Sequence, residues 1–91
     1  MTEPVQVTAE PTPNPNSVKF NLNRVVTEAG SKSYDTLQEA ADSPLAKRLF
    51  EIKGVKSLFF LKNFVTVVKD SGSGWDEIVP RAKEILKDYF G

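Results

Sequence analysis

VKSLFFLKNFVTVVK, residues 55–69, holds two strand-like runs with only Lys62 and Asn63 between them. Val, Phe and Thr favour a pleated, half-buried surface, and asparagine accepts the positive φ of a tight hairpin turn. A two-residue loop sets Phe60 opposite Val65 and Leu58 opposite Val67. Phe59 then faces Thr66 on the other side, and Leu61 lies opposite Phe64. Both faces of this hairpin are apolar at the centre. One must meet helices; for the other, a second buried layer and an exposed partner site are both open, and an uncovered apolar sheet face is a candidate interface.

The helices are found on either side of the hairpin. Upstream, Ser43 followed by Pro44 is a helix start, with serine as N-cap and proline at the first helical position. Leu45, Leu49 and Ile52, flanked by Ala46 and Phe50, form an apolar stripe of helical spacing, while Lys47, Arg48, Glu51 and Lys53 face outward. Gly54 sits where a left-handed glycine would end the helix. Just before it, TLQE (36–39) has the form of a capping box that starts a helical turn through Ala40 and Ala41. Downstream, DSGSG (70–74) is a polar break. After it Ile78, Val79, Ala82, Ile85, Leu86, Tyr89 and Phe90 repeat with the strongest helical period of the chain. Asp76 and Glu77 suit the positive end of that helix. Pro80 is compatible only with a start near Asp76 or at Pro80 itself, because the first N–H groups have no intrahelical partners.

Further towards the N-terminus, SVKFNL (17–22) alternates, with Val18, Phe20 and Leu22 on one face and Lys19, Asn21 and Asn23 following on the other. VVT (25–27) is a possible extension, EAGSKS (28–33) reads as turn or loop, and SYDT (33–36) as a short return strand. VQVTA (5–9) reads as a weak edge strand. Pro11, Pro13 and Pro15 each fix φ and delete a backbone donor, so that run suits an extended edge and not a central strand. It reads as a stiff approach to the first long strand, ordering an edge without donors that another chain could capture. Asn14 and Asn16 can bond neighbouring backbone groups in compensation. The order is strand-strand-helix-strand-strand-helix, an α+β fold with an antiparallel sheet packed against two helices.

Composition narrows the function. Ninety-one residues make a single domain, 1–91, with a flexible N-terminus of about residues 1–8. Twelve basic and twelve acidic side chains cancel, which disfavours a general nucleic-acid or anionic-membrane binder. The chain has neither cysteine nor histidine. That removes thiolate nucleophiles, disulfides, the two commonest transition-metal ligands and the usual general base near neutral pH. No apolar run approaches the roughly 20 residues that span a bilayer. MTEPVQVTAE, residues 1–10, has no basic segment followed by an apolar one, so no secretory signal is read and the expected location is the cytoplasm.

What remains for chemistry is thin. Glu39, Asp42 and Glu51 are near in sequence but read as the solvated side of a helix. SGSG (71–74) before a helix has an outward likeness to a phosphate cradle, yet lacks the lysine and glycine spacing of one, and reads as a flexible linker. Lys47, Arg48, Lys53 and Lys56 form either a small basic docking cluster or a solvated face. Phe59, Phe60 and Phe64 are core rings or, as in RNA-binding platforms, stacking rings on a sheet. Trp75 reads as a lid on the edge of the core, with an interface anchor as its alternative.

Three blocks together resemble one family. TPNPNSVKF (12–20), SPLAKRLFEIKGVKSLFF (43–60), and FVTVVK with the following Trp75 are similar to the N-terminal domain of the Nfu/NifU-type iron–sulfur cluster scaffold proteins. The resemblance covers roughly residues 9–90. LKNF replaces a glycine-containing turn usual in that family, and IKGV replaces IEGV or IPGV. In full-length members a second domain carries a Cys-x-x-Cys motif that binds the cluster; with no cysteine before the last residue, Gly91, that role carries over to no residue. The resemblance implies a stand-alone accessory domain: a monomer without catalytic residues, cofactor or metal, that recognises a protein partner, either a separate Cys-x-x-Cys scaffold or an iron–sulfur client. Asn14, Asn16, Lys47, Arg48, Phe60 and Phe64 are the candidate partner-binding residues. A small nucleic-acid-binding domain using Phe59, Phe60 and the 47–56 cations, and a regulatory domain unrelated to iron–sulfur chemistry, stand as alternatives.

Overall fold

The computed structural model describes residues 4–27 and 30–91. Five strands and two helices follow one another: β1 (Val7–Pro11), β2 (Ser17–Leu22), β3 (Ser31–Tyr34), α1 (Pro44–Phe50), β4 (Val55–Leu61), β5 (Phe64–Lys69) and α2 (Trp75–Phe90). The sheet order is β1-β2-β5-β4-β3, with every neighbouring pair antiparallel.

The β4–β5 hairpin has the expected register, with Leu58 opposite Val67, Phe59 opposite Thr66, Phe60 opposite Val65 and Leu61 opposite Phe64. The left-handed turn position is Lys62, at φ 50°, and not Asn63. At the far end of β4 a bulge skips Lys56, so that Val55 pairs with Lys69 and turns its side chain towards the core.

Three strands, not two, precede the first helix. β3 begins two residues earlier than the alternation suggests, since Ser31, Lys32 and Ser33 are polar and exposed. Its one apolar anchor is Tyr34, buried opposite Leu58, with its ring edge-on to Phe60 at 5.4 Å. Val25, Val26 and Thr27 do not prolong β2. They leave the sheet, and the N–H groups of Val26 and Thr27 both reach the Lys62 carbonyl, at 2.6 and 3.2 Å. The stretch expected to be flexible falls partly on residues 1–3, outside the described residues. From Pro4 onward the chain is tied by Asn23, which accepts from the Gln6 N–H and donates to the Pro4 carbonyl, both at 2.9 Å.

The Ser43 hydroxyl caps α1 by accepting the Ala46 N–H at 3.3 Å, with Pro44 at the first position. Gly54 follows at φ +100°, and a Cβ there would collide with the Ser73 side chain. The capping box forms at a single 3₁₀ turn, Glu39–Asp42. The Thr36 hydroxyl accepts from the Glu39 N–H, and the Glu39 carboxylate accepts from Asp35, one residue before the expected partner. α2 begins at Trp75 and carries Pro80 in its second turn. The Asp76 carbonyl therefore has no donor four residues on.

Both helices lie on one face of the sheet. Phe20, Val65, Val67 and Leu58 from the strands meet Leu49, Ile78 and Leu86 from the helices, all nearly solvent-free, in one continuous apolar cluster. The opposite face of the sheet is left open by the described residues.

Candidate functional site

The strand parity divides the aromatic residues. Phe60 points towards the helices and is only 4% exposed, so it is a core side chain and is withdrawn as a partner-binding candidate. Its cross-strand partner Val65 is solvent-free, and the apolar Leu58–Val67 pair continues the same face. Phe64 lies on the open face and is half-buried. Its ring is 6.2 Å from that of Phe59, and the Lys19 ammonium stands 4.4 Å over it. Leu61, Val68 and Thr66 share this face by register, and Asn21 on β2 donates to Glu10 on β1 at 2.8 Å beside them. The result is an apolar centre with one cation and one carboxylate at its margin. Lys19 was not singled out from sequence, although its alternation opposite Phe20 placed it there.

The Pro-Asn run closes the β1–β2 hairpin rather than leading in from outside the sheet. The Thr12 hydroxyl lies 3.0 Å from the carbonyls of Asn14 and Ser17 and accepts the Asn14 N–H at 3.2 Å. The Asn14 side-chain oxygen accepts the Asn16 N–H at 2.9 Å, the local bond expected of an asparagine in a turn. Asn16 faces elsewhere: its side-chain oxygen accepts from Lys69 at 3.3 Å. The same ammonium reaches the Asp70 carbonyl at 3.3 Å and stands 5.7 Å over the Trp75 ring, and Lys69 is only 9% exposed. Trp75 covers the core edge and donates from its indole to the Pro15 carbonyl at 3.0 Å. Thus Asn16 is held as part of a latch that joins the loop, the end of β5 and the start of α2, while Asn14 is exposed at its tip. Lys69 went unread, although the alternation Val65, Val67, Lys69 points it inward.

The structure does not gather the basic cluster into one patch. Lys47 is exposed on α1, whereas Arg48 donates to Asp88 at 2.9 Å. With side chains 38% and 74% exposed, that pair is well solvated and adds little stability. Arg48 also lines a cleft of about 260 Å³ with Glu51, Arg81 and Glu84, and Lys53 lines another with Asp76 and Glu77. The cations are interleaved with carboxylates. The 70–74 break is a fastened turn and not a linker, because the Asp70 carboxylate accepts from the Gly72 N–H at 3.0 Å and the Ser73 hydroxyl at 2.9 Å. A carboxylate in that position opposes an anion. Among the described residues no three acidic side chains converge as a metal site would require, and no helix is long and apolar enough to cross a membrane.

The profile of the family described as "Scaffold protein Nfu/NifU N terminal" matches residues 7–91. Human "NFU1 iron-sulfur cluster scaffold homolog, mitochondrial" is 39% identical over 85 residues, covering 92% of this chain and 34% of that protein. "NifU-like protein 4, mitochondrial" of Arabidopsis thaliana is 36% identical over 84 residues, covering 92% of this chain and 30% of that one. The solution structure of a NifU-like protein from Saccharomyces cerevisiae superposes with a TM-score of 0.83 at 26% identity, over 96% of this chain and 81% of that chain. The chain therefore spans about a third of the length of these curated relatives. The cytoplasmic location expected from residues 1–10 is overturned by the relatives, which are named mitochondrial. That expectation had weighed only a secretory signal, which is one address among several.

Proposed function

Because the chain belongs to the Nfu/NifU N-terminal scaffold family, we propose that it is a non-catalytic protein-interaction module of iron–sulfur cluster assembly, a monomer that engages a partner without holding the cluster itself. The partner is a Cys-x-x-Cys scaffold domain or an iron–sulfur client protein, and the cluster is cargo on that partner. The donor set supports this division: an iron–sulfur cluster is held by thiolates, with histidine as the usual substitute, and this sequence supplies neither.

The observation that carries the interaction role is the open sheet face. Phe59 and Phe64 lie side by side there, uncovered by either helix, with Lys19 over one ring. A half-buried apolar centre that the helices leave uncovered, with a polar margin, suits a protein-binding surface. Of the candidates read from sequence, Phe64 belongs to this surface, while Asn14, Lys47 and Arg48 lie elsewhere on the exterior as secondary contacts.

The test is a titration of isotope-labelled chain with a purified Cys-x-x-Cys domain of a NifU-type protein, read by amide shifts. The reading expects shifts centred on Lys19, Phe59, Phe64 and Thr66, lost in Phe64→Asp. Absence of shifts with that domain and with iron–sulfur apoproteins, or saturable shifts on the same face with RNA, would contradict it.

A further inference from the structure

The register assigns each backbone group of β2 to one neighbouring strand. The Asn16 carbonyl accepts from the Lys69 N–H at 2.8 Å and Leu22 donates to the Asn63 carbonyl at 2.9 Å, so the even-numbered residues of β2 bond β5. The odd-numbered ones bond β1 and the residue before it. Asn23 donates to the Gln6 carbonyl at 3.3 Å, and the pairs of Asn21 with Thr8 and of Lys19 with Glu10 continue that series. Pro11 falls at a position of this ladder that asks for no N–H. The side chains of β1 hold it only weakly. Every strand and helix from β2 onward has at least one buried residue, whereas none of residues 4–16 is buried. Val7 and Ala9, the β1 side chains packed against the core, are covered only in part.

Polar side chains on the body of the fold fasten this segment at both ends. Asn23 accepts from the Gln6 N–H and donates to the Pro4 carbonyl, each at 2.9 Å. At the other end Lys69 donates to the Asn16 side chain at 3.3 Å and the Trp75 indole to the Pro15 carbonyl at 3.0 Å. Between them Asn21 adds one exposed bond to Glu10. The segment also runs the length of α2. Pro15 meets the first residue of that helix, and a methyl group on Gly91, just past its last, would lie 3.8 Å from Val5. We infer that residues 4–16 are a strap that opens as one unit while the rest of the fold stays closed. Nothing buried anchors the ladder between the two fastenings, so it comes away whole. Opening frees the backbone groups of Lys19, Asn21 and Asn23 and uncovers the flank of α2 that β1 touches. It also takes the Glu10 carboxylate away from Lys19, its cross-strand neighbour beside the open face. That margin of the protein thus has two states, an edge capped by β1 and an edge of free backbone groups. The inference concerns a movement of this chain and stands whatever the open face binds.

The test is native-state hydrogen exchange of the whole chain, read amide by amide, in which β2 carries its own control. Lys19 and Asn21 should be at least tenfold less protected than Phe20 and Leu22, which alternate with them and bond β5. Thr8 and Glu10 should share the lower protection. Ile52→Val, a mild core change beside Arg81 and Ile85 of α2, should lower the protection of Phe20 and Leu22 and leave that of Lys19 and Asn21 unchanged, because its contacts persist when the strap is open. Asn23→Ala undoes one fastening and should lower the protection of Thr8, Glu10, Lys19 and Asn21 threefold or more. The inference is overturned if alternate amides of β2 share one protection, if Ile52→Val lowers both sets alike, or if Asn23→Ala leaves the strap amides unchanged. Thr8 and Glu10 differing tenfold from each other would also overturn it, since the ladder would then fray from one end and not open as a unit.

Discussion

The indole N–H of Trp75 donates to the carbonyl of Pro15 at 3.0 Å, across 60 positions of sequence, and so binds the first turn of α2 to the loop between β1 and β2. The Trp75→Phe variant keeps an aromatic ring over the core edge, removes that bond and gives up part of the indole's packing area. It should cost about 0.5–1.5 kcal/mol, towards the lower end because water can reach the carbonyl. Urea unfolding would show it as a lower midpoint at unchanged slope. A variant as stable as the parent would mean the bond does not hold the loop.

Lys69 brings a charge to the same junction while nearly buried, with a side-chain oxygen and a backbone carbonyl as its acceptors. Lys69→Met retains the apolar stem and removes the ammonium. We expect a loss of about 1–2 kcal/mol, because Asn16 and Asp70 lose a charged donor. Amide shifts should be confined to residues 14–17, 70 and 75. Shifts spread across the sheet would show that Lys69 packs the core and does not fasten the loop.

At the tip of the β4–β5 hairpin Lys62 is held at φ 50°. A left-handed conformation costs a side chain roughly 1–2 kcal/mol, and glycine loses about 0.5–1 kcal/mol of that advantage through backbone entropy. Lys62→Gly should therefore stabilise the protein by about 0.5–1 kcal/mol in chemical denaturation. A loss of stability would show that the lysine side chain contributes a contact that offsets its strain.

The two faces of the hairpin separate by stability. Phe60→Ala should destabilise by about 3–5 kcal/mol, as a truncated core phenylalanine does. Phe64→Ala, on the open face, should cost less than about 1 kcal/mol, in keeping with a substitution away from the core. Equal losses would mean that the open face is packed in solution.

The nucleic-acid alternative has its own signature. Binding through Lys19 and the rings of the open face should weaken as salt rises, with a slope set by the phosphates neutralised. Among the described residues only Lys19 stands over a ring there, with the Glu10 carboxylate on the neighbouring strand. We expect no saturable binding of single-stranded RNA even at low salt, measured by fluorescence anisotropy.

Much of this architecture is legible in the sequence. The β4–β5 register follows from two apolar runs and a two-residue gap, because a period of two leaves one pairing that puts Leu58, Phe60, Val65 and Val67 together. The cap at Ser43 and Pro44 and the apolar period of α2 are equally local signals. The bounds of β3 are not legible, because three of its four residues are polar and exposed, so the return strand read at 33–36 meets it only at Ser33 and Tyr34. Its partner β4 makes it a strand, and that pairing is not a property of residues 31–34. Phe60 and Phe64 were grouped as candidates by residue type, although strand parity already set them on opposite faces. Which face the helices cover depends on chain connection, so the open surface emerges only in the fold. The latch of Asn16, Lys69 and Trp75 joins three distant segments, and no local pattern announces it.

The most direct test is a pull-down from native cell lysate with the tagged chain under anaerobic conditions, with Phe64→Asp as the control and mass spectrometry as the readout. The account predicts enrichment of a Cys-x-x-Cys scaffold or of iron–sulfur apoproteins by the parent chain, lost in the variant. Enrichment of ribonucleoproteins alone, or of nothing above background, would contradict it.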